Sequence, residues 1–215
     1  MKRVLILVEG QTEEQFVQQM LKPHLLSFSI YTTPVILKTS DASRGRGGVS
    51  KYTKVKGDIL RLLQDTNATV VTTMLDYYGL PKDFPGKTAL VANDPYQRVA
   101  FLEGAWAADI QDARFLPFLM LHEFEALLFA DIEKLFEVIP GVSTSVKNTL
   151  RQLAQQPPEL INDGENTHPA QRIEQHISGY SKVLHGVLVV QRVGLARIRE
   201  RCPHFHEWLS KLETI

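Results

Sequence analysis

Two carboxylates stand directly after apolar runs. Glu9 closes Val4-Leu5-Ile6-Leu7-Val8, and Asp76 closes Thr69-Val70-Val71-Thr72-Thr73-Met74-Leu75. An apolar run rich in β-branched residues reads as a buried parallel strand, and ligand chemistry in open α/β sheets gathers beyond the carboxyl ends of such strands. If the two strands are parallel neighbours, Glu9 and Asp76 meet at one edge of the sheet. Close carboxylates repel, so they need a proton or a cation between them, and a divalent metal with oxygen ligands is the natural solution. The bland alternative for Asp76 is that it starts a turn, a role Asp often fills. Glu9 is harder to dismiss, because a carboxylate ending a central strand costs desolvation energy unless something pairs with it.

A third junction of this kind is Phe115-Leu116-Pro117-Phe118-Leu119-Met120-Leu121 running into His122-Glu123-Phe124-Glu125. If the chain is still extended there, Glu123 and Glu125 share one face. If a helix has begun, they point apart and at most one joins the site. His122 reads as a capped or core histidine, since imidazole is not a preferred partner of hard cations. Between the first two acids lies a glycine-rich, basic segment, Lys38 to Gly48, followed by Lys51, Lys54 and Lys56. With Arg44, Arg46 and Lys51 it could contact phosphates, or it could be a solvated loop.

The elements that would position these groups alternate. Gly10, with the φ > 0 region open to it, makes the turn after Glu9. Thr12 and Gln15 fit a capping box, and Glu13 and Glu14 suit the first helical turn. Phe16, Val17, Met20, Leu21 and Leu25 form one apolar helix face. Pro34-Val35-Ile36-Leu37 reads as a second strand, Val55 to Gln64 as a helix, and Asn93-Asp94-Pro95 as the start of a helix to Ile110, with Asp94 as cap. Pro117 suits a sheet edge or a bulge. From Asp131 onward the pattern is helical: Ile132 to Val138, Ser145 to Gln155 up to the break at Pro157-Pro158, and the stretch after Pro169. The expectation is an α/β domain over residues 1–130, with a mainly parallel sheet flanked by helices, and a helical extension over 131–215.

Composition narrows the function. The 215 residues carry 24 basic and 24 acidic side chains, so no global charge draws the chain to nucleic acid and any such binding needs a local patch. A single cysteine, Cys202, excludes an internal disulfide framework and a cysteine-rich zinc module, and it suits a reducing cytoplasm. No apolar run reaches the length of a membrane span, and Glu9 interrupts the run that would otherwise start a signal peptide. No Walker motif is present.

The residues also carry a resemblance. Val8-Glu9-Gly10-Gln11-Thr12-Glu13 resembles the first motif of Toprim domains, the metal-binding fold of topoisomerases, primases and overcoming-lysogenization-defect (OLD) nucleases. The whole chain resembles a Toprim-like domain-of-unknown-function family of prokaryotes. The further marks are Leu75-Asp76, the string His122-Glu123-Phe124-Glu125-Ala126-Leu127-Leu128-Phe129, the segment from Glu159 to Arg172, and Cys202-Pro203 to Trp208. The resemblance implies a Toprim-like sheet and a magnesium- or manganese-dependent acidic site acting on DNA or RNA. Glu9 and Glu13 would hold one metal. Asp76 would hold the other with Glu123 or Glu125, and Lys182 would stand near the scissile phosphate. Members of the family often neighbour an ATPase partner in settings tied to phage defence. One departure is plain: Toprim domains show Asp-x-Asp at the second motif, and here Tyr78 replaces the second acid in Asp76-Tyr77-Tyr78. Three functions follow: a metal-dependent nuclease, a non-catalytic subunit of an ATPase, or a small nucleotide-binding protein.

Overall fold

The computed structural model describes residues 1–38, 51–161 and 168–215. It is mixed α/β, as expected, and its contacts divide it into two compact units: Met1–Met120 with Lys211–Ile215, and Leu121–Ser210.

The first unit holds the sheet. Strand β1 (Lys2–Val8) leads into a helical stretch made of α1 (Gln11–Phe16), a π-helical turn (Val17–Leu21) and α2 (Lys22–Leu26). Then follow β2 (Ile30–Ile36), α3 (Tyr52–Leu63), β3 (Val70–Asp76), α4 (Pro95–Ile110), and two short strands, β4 (Phe115–Leu116) and β5 (Leu119–Met120). The order is β2-β1-β3-β4, with β5 also on β3, and every pairing is parallel. Parallel strands need crossover connections that put helices over the faces, which is why β1 is buried from Val4 to Val8 and reads as one unbroken apolar run. The face foreseen on the first helix is also inward, with Phe16, Val17, Leu21 and Leu25 fully buried.

Several local expectations are met and several are refined. Asp94 accepts a hydrogen bond from Gln97 N at 2.9 Å, Pro95 opens α4, and the helix ends at Ile110. The second strand is longer than Pro34 to Leu37, and α3 starts three residues before Val55. Pro117 splits the foreseen strand in two without a change of register, since Val71 pairs with Phe115 and Leu75 with Leu119. The Thr73 hydroxyl fills the gap. It donates to Phe118 O at 2.8 Å and accepts from Phe118 N at 2.9 Å.

The cap of α1 differs from the Thr12/Gln15 box. The N-cap is Gly10, and Glu13 reaches back to accept its N–H at 2.9 Å. Gly10 does not use left-handed freedom: its φ is −153°, and a Cβ there would meet the Glu13 carboxylate at an ordinary 3.5 Å.

The second unit is helical. Its core is a 3₁₀ stretch, Phe124–Asp131, with every residue from Phe124 to Ala130 buried. A segment buried on all sides belongs inside a bundle, and the one acid buried with it, Glu125, must be paired there. Around it are α5 (Ile132–Val138), α6 (Thr144–Leu153), a short 3₁₀ turn (Pro158–Leu160), α7 (Pro169–His176), a π-helical turn (Lys182–Gly186), α8 (Val187–Val193) and α9 (Leu195–Arg201). The last helix, α10 (Pro203–Glu213), ends among the residues of the first unit. Buried Glu159 holds the start of α10, accepting from His204 N at 3.1 Å and Phe205 N at 2.9 Å. Among the described residues no helix is long and apolar enough to cross a membrane.

Candidate functional site

In the first unit, Glu9 and Asp76 end up at one corner of the sheet. β1 and β3 are parallel neighbours with Val8 opposite Met74, so both chains leave the sheet side by side. The Asp76 N–H donates to Glu9 Oε2 at 3.3 Å. Both residues are half-buried. A shared rim of two hard oxygen donors is what a magnesium ion accepts, because that ion keeps several of its waters and takes one or two carboxylates from the protein. Glu13 is buried nearby in sequence, but its Oε2 is already engaged with the Gly10 N–H. Among the described residues, no group of three or more His, Cys, Asp or Glu side chains is arranged to hold a metal ion. Any cation on the Glu9–Asp76 rim would therefore keep most of its waters.

Directly after Asp76 the chain turns. Tyr77 N donates to Met120 O at 3.0 Å, and Leu80 N returns to Tyr77 O at 3.4 Å, which leaves Tyr78 at the corner of the turn and exposed. Of the basic residues expected to meet phosphate, Lys51 is exposed at the start of α3, whereas Arg44 and Arg46 lie outside the described residues.

In the second unit the structure brings together three other expected residues. Glu123 is extended and immediately precedes the 3₁₀ stretch; Glu125 lies in its first turn. Both side chains are buried, and both face one ammonium: Lys182 Nζ is 3.5 Å from Glu123 Oε2 and 3.4 Å from Glu125 Oε2. The sequence offered two cases, one with both acids on a shared extended face and one with a helix that parts them. The chain takes neither. The tight 3₁₀ turn begins between the two acids, yet both reach the same lysine. His122, just before them, is buried and left-handed at φ 69°.

Glu123 has a second duty that sequence reasoning missed. Its Oε1 accepts from Ala170 N, at the start of α7, and from His168 Nδ1 at 3.0 Å. Pro169 marks a helix start, and the first N–H groups of a helix need an outside acceptor. Nothing local could say that the acceptor comes from 47 residues upstream. Tyr180 was missed too. Burial, together with the charges of Glu125 and Glu123, pushes its phenol well above its ordinary range, so it keeps its proton.

The chain is similar to the C-terminal region of the Burkholderia pseudomallei OLD protein, at 18% identity and a TM-score of 0.47, over 100% of this chain and 98% of that one. It is similar to the C-terminal region of the Xanthomonas campestris pv. campestris OLD protein, phased with platinum, at 17% identity and a TM-score of 0.44, over 97% and 94%. The iodine-phased structure of that region gives 16% identity and a TM-score of 0.42, over 100% and 98%. The comparison with curated proteins gives no match. A family model matches residues 8–213, nearly the whole length, and the chain belongs to that family, the Domain of unknown function (DUF4276).

Proposed function

We propose that the protein is a Toprim-like nuclease that hydrolyses phosphodiester bonds of DNA or RNA with the help of Mg²⁺ or Mn²⁺, working in the cytoplasm in a setting of phage defence. The observation that carries this reading is the Glu9–Asp76 rim, where two strand-ending acids are joined by the Asp76 N–H at 3.3 Å. It is supported by the likeness of Val8 to Glu13 to the first Toprim motif. A divalent cation there would supply charge against the phosphate and a more acidic water. Glu9 and Asp76 would hold it. Glu13 would contribute, with its bond from the Gly10 N–H fixing the side chain. Glu123 and Glu125 hold Lys182, and this lysine is the group the reading assigns to the scissile phosphate. Its side chain is 43% exposed, so solvent reaches it.

The deciding experiment incubates the purified protein with DNA and with RNA, in Mg²⁺, Mn²⁺ or EDTA, beside Glu9→Ala. Cleavage that needs the cation and is lost in the variant supports the reading. Equal cleavage by variant and parent refutes it.

A second reading, favoured by Tyr78 at the position of the missing acid, is a non-catalytic subunit that docks on an ATPase partner. It expects no cleavage under any of these conditions, and no cation-dependent rise in melting temperature.

A further inference from the structure

Just beyond Asp76, the exposed ring of Tyr78 is followed by two lysines, Lys82 and Lys87, on a loop that is tied down at several points. We propose that this loop binds unpaired nucleic acid, with Tyr78 as the platform on which a base stacks and Lys82 as a phosphate contact. The proposal rests on the nuclease reading above and names its substrate as single-stranded.

The placement of Tyr78 is the first support. At the corner of the Tyr77–Leu80 turn its side chain is 45% exposed, while Leu80 and Phe84, on either side of Pro81 to Asp83, are buried. The loop is thus anchored by its apolar residues and presents its aromatic ring outward. The anchoring is specific. The Phe84 ring meets Trp106 edge-on at 4.9 Å and Tyr52 at 5.4 Å. Phe84 N bonds Pro81 O at 3.1 Å, and the Lys87 ammonium donates to Leu80 O. A loop held this way loses little conformational freedom when a base lands on Tyr78.

Charge is the second support. Lys82 is exposed. Burial, and then the charge of Lys82, lowers the pKa of Lys87, so the two cations feel one another. The acid in the same loop, Asp83, accepts the Tyr52 N–H at 3.1 Å, and that bond brings Lys51 and Lys54 at the start of α3 alongside the loop. An exposed aromatic ring on an anchored loop, beside cations that track a backbone, is the arrangement used for single strands. Phosphate contacts alone would serve a duplex equally well. The ring would not, because paired bases are stacked on each other and offer no free face.

The test is fluorescence anisotropy in EDTA, where nothing is cut, with labelled oligothymidine and oligouridine and the matching duplexes. The parent is expected to prefer the single strands, and the DNA and RNA arms report which sugar it takes. Tyr78→Ala should weaken single-strand binding by about 5- to 100-fold, the loss typical of one stacked base, and leave duplex binding unchanged. Tyr78→Phe, which keeps the ring, should stay within about twofold of the parent. Lys82→Gln should reduce the slope of log affinity against log salt by about 0.7 on single strands. No binding by the parent, an unchanged Tyr78→Ala, equal losses on duplex and single strand, or a Tyr78→Phe as weak as Tyr78→Ala would each overturn the proposal. Stacking without any cleavage in Mg²⁺ would sink the nuclease reading and leave this one standing. Cleavage with no role for Tyr78 would do the reverse.

Discussion

Replacing Glu123 by alanine should destabilise the protein even when no metal is present. In the second unit this buried carboxylate accepts from the Ala170 N–H at the start of α7, from His168 Nδ1 at 3.0 Å, and from Lys182 at 3.5 Å. The charge-assisted bond to the backbone N–H contributes about 1.5–3 kcal/mol and the histidine contact about 1 kcal/mol. The lysine is partly solvated, so its contact contributes less than about 1 kcal/mol. Removing a buried carboxylate returns part of its desolvation cost, which offsets some of this. A net loss of about 2–3 kcal/mol remains, or about 4–12 °C in melting temperature for a chain of this length. Glu123→Gln keeps an acceptor for the α7 N–H and should lose about half as much. Thermal melts in EDTA read both. A Glu123→Ala variant as stable as the parent, or more so, would refute the reasoning. It would mean that the carboxylate is kept only to meet a cation, and that its burial is a net cost without one.

Other expectations are simpler to check. With Mg²⁺ or Mn²⁺ at about 100 times its dissociation constant, the parent should gain about 2.7 kcal/mol of stability and Glu9→Ala should gain none; an equal rise in both would remove the cation from the Glu9–Asp76 rim. Burial would raise the pKa of Asp109, but hydrogen bonds from Tyr52 and Lys56 outweigh it and hold the carboxyl below its ordinary 3.8. A depressed pKa gives stability that is present above the unfolded value and lost as the pH falls through the folded one. The parent should therefore lose stability below about pH 4 more steeply than Asp109→Asn, and parallel acid melts would contradict this. Burial, and then the charge of Glu159, pushes the Cys202 thiol well up, so a thiol-specific reagent should label it only as fast as the protein opens. Rapid labelling of the native protein would show that the residue is not enclosed as described.

The parts of the fold that could be read in advance are those with a local signature. Val4 to Val8 is an unbroken apolar run, and Val71 to Leu75 an unbroken buried one with two β-branched threonines, because helices cover both faces of a parallel sheet, and each run stops at an acid because the strand stops there. Asp94-Pro95 announced α4, and Ile132–Val138 came out with the bounds the pattern suggested. What escaped was set by distant partners. Glu123 and Glu159 each hold the first N–H groups of a helix about 45 residues further on, and such a bond leaves no period in the sequence. The 3₁₀ character of Phe124–Asp131 escaped for another reason: Phe124 to Ala130, Glu125 included, are all buried, so no polar face marks the winding. At Gly10 the error was one of cause. Glycine suggested a left-handed turn, and the backbone there is extended.

Pro34 in β2 has an effect that reaches beyond the chain itself. The Leu37 N–H bonds Val8 O, so the alternate residues, Thr32, Pro34 and Ile36, aim their nitrogens away from β1. Among the described strands, β2 is an outer one. The middle of those three outward positions therefore has no hydrogen to offer. An approaching strand from another molecule would meet a gap in the row of donors it needs, which discourages runaway self-association through the rim of the sheet.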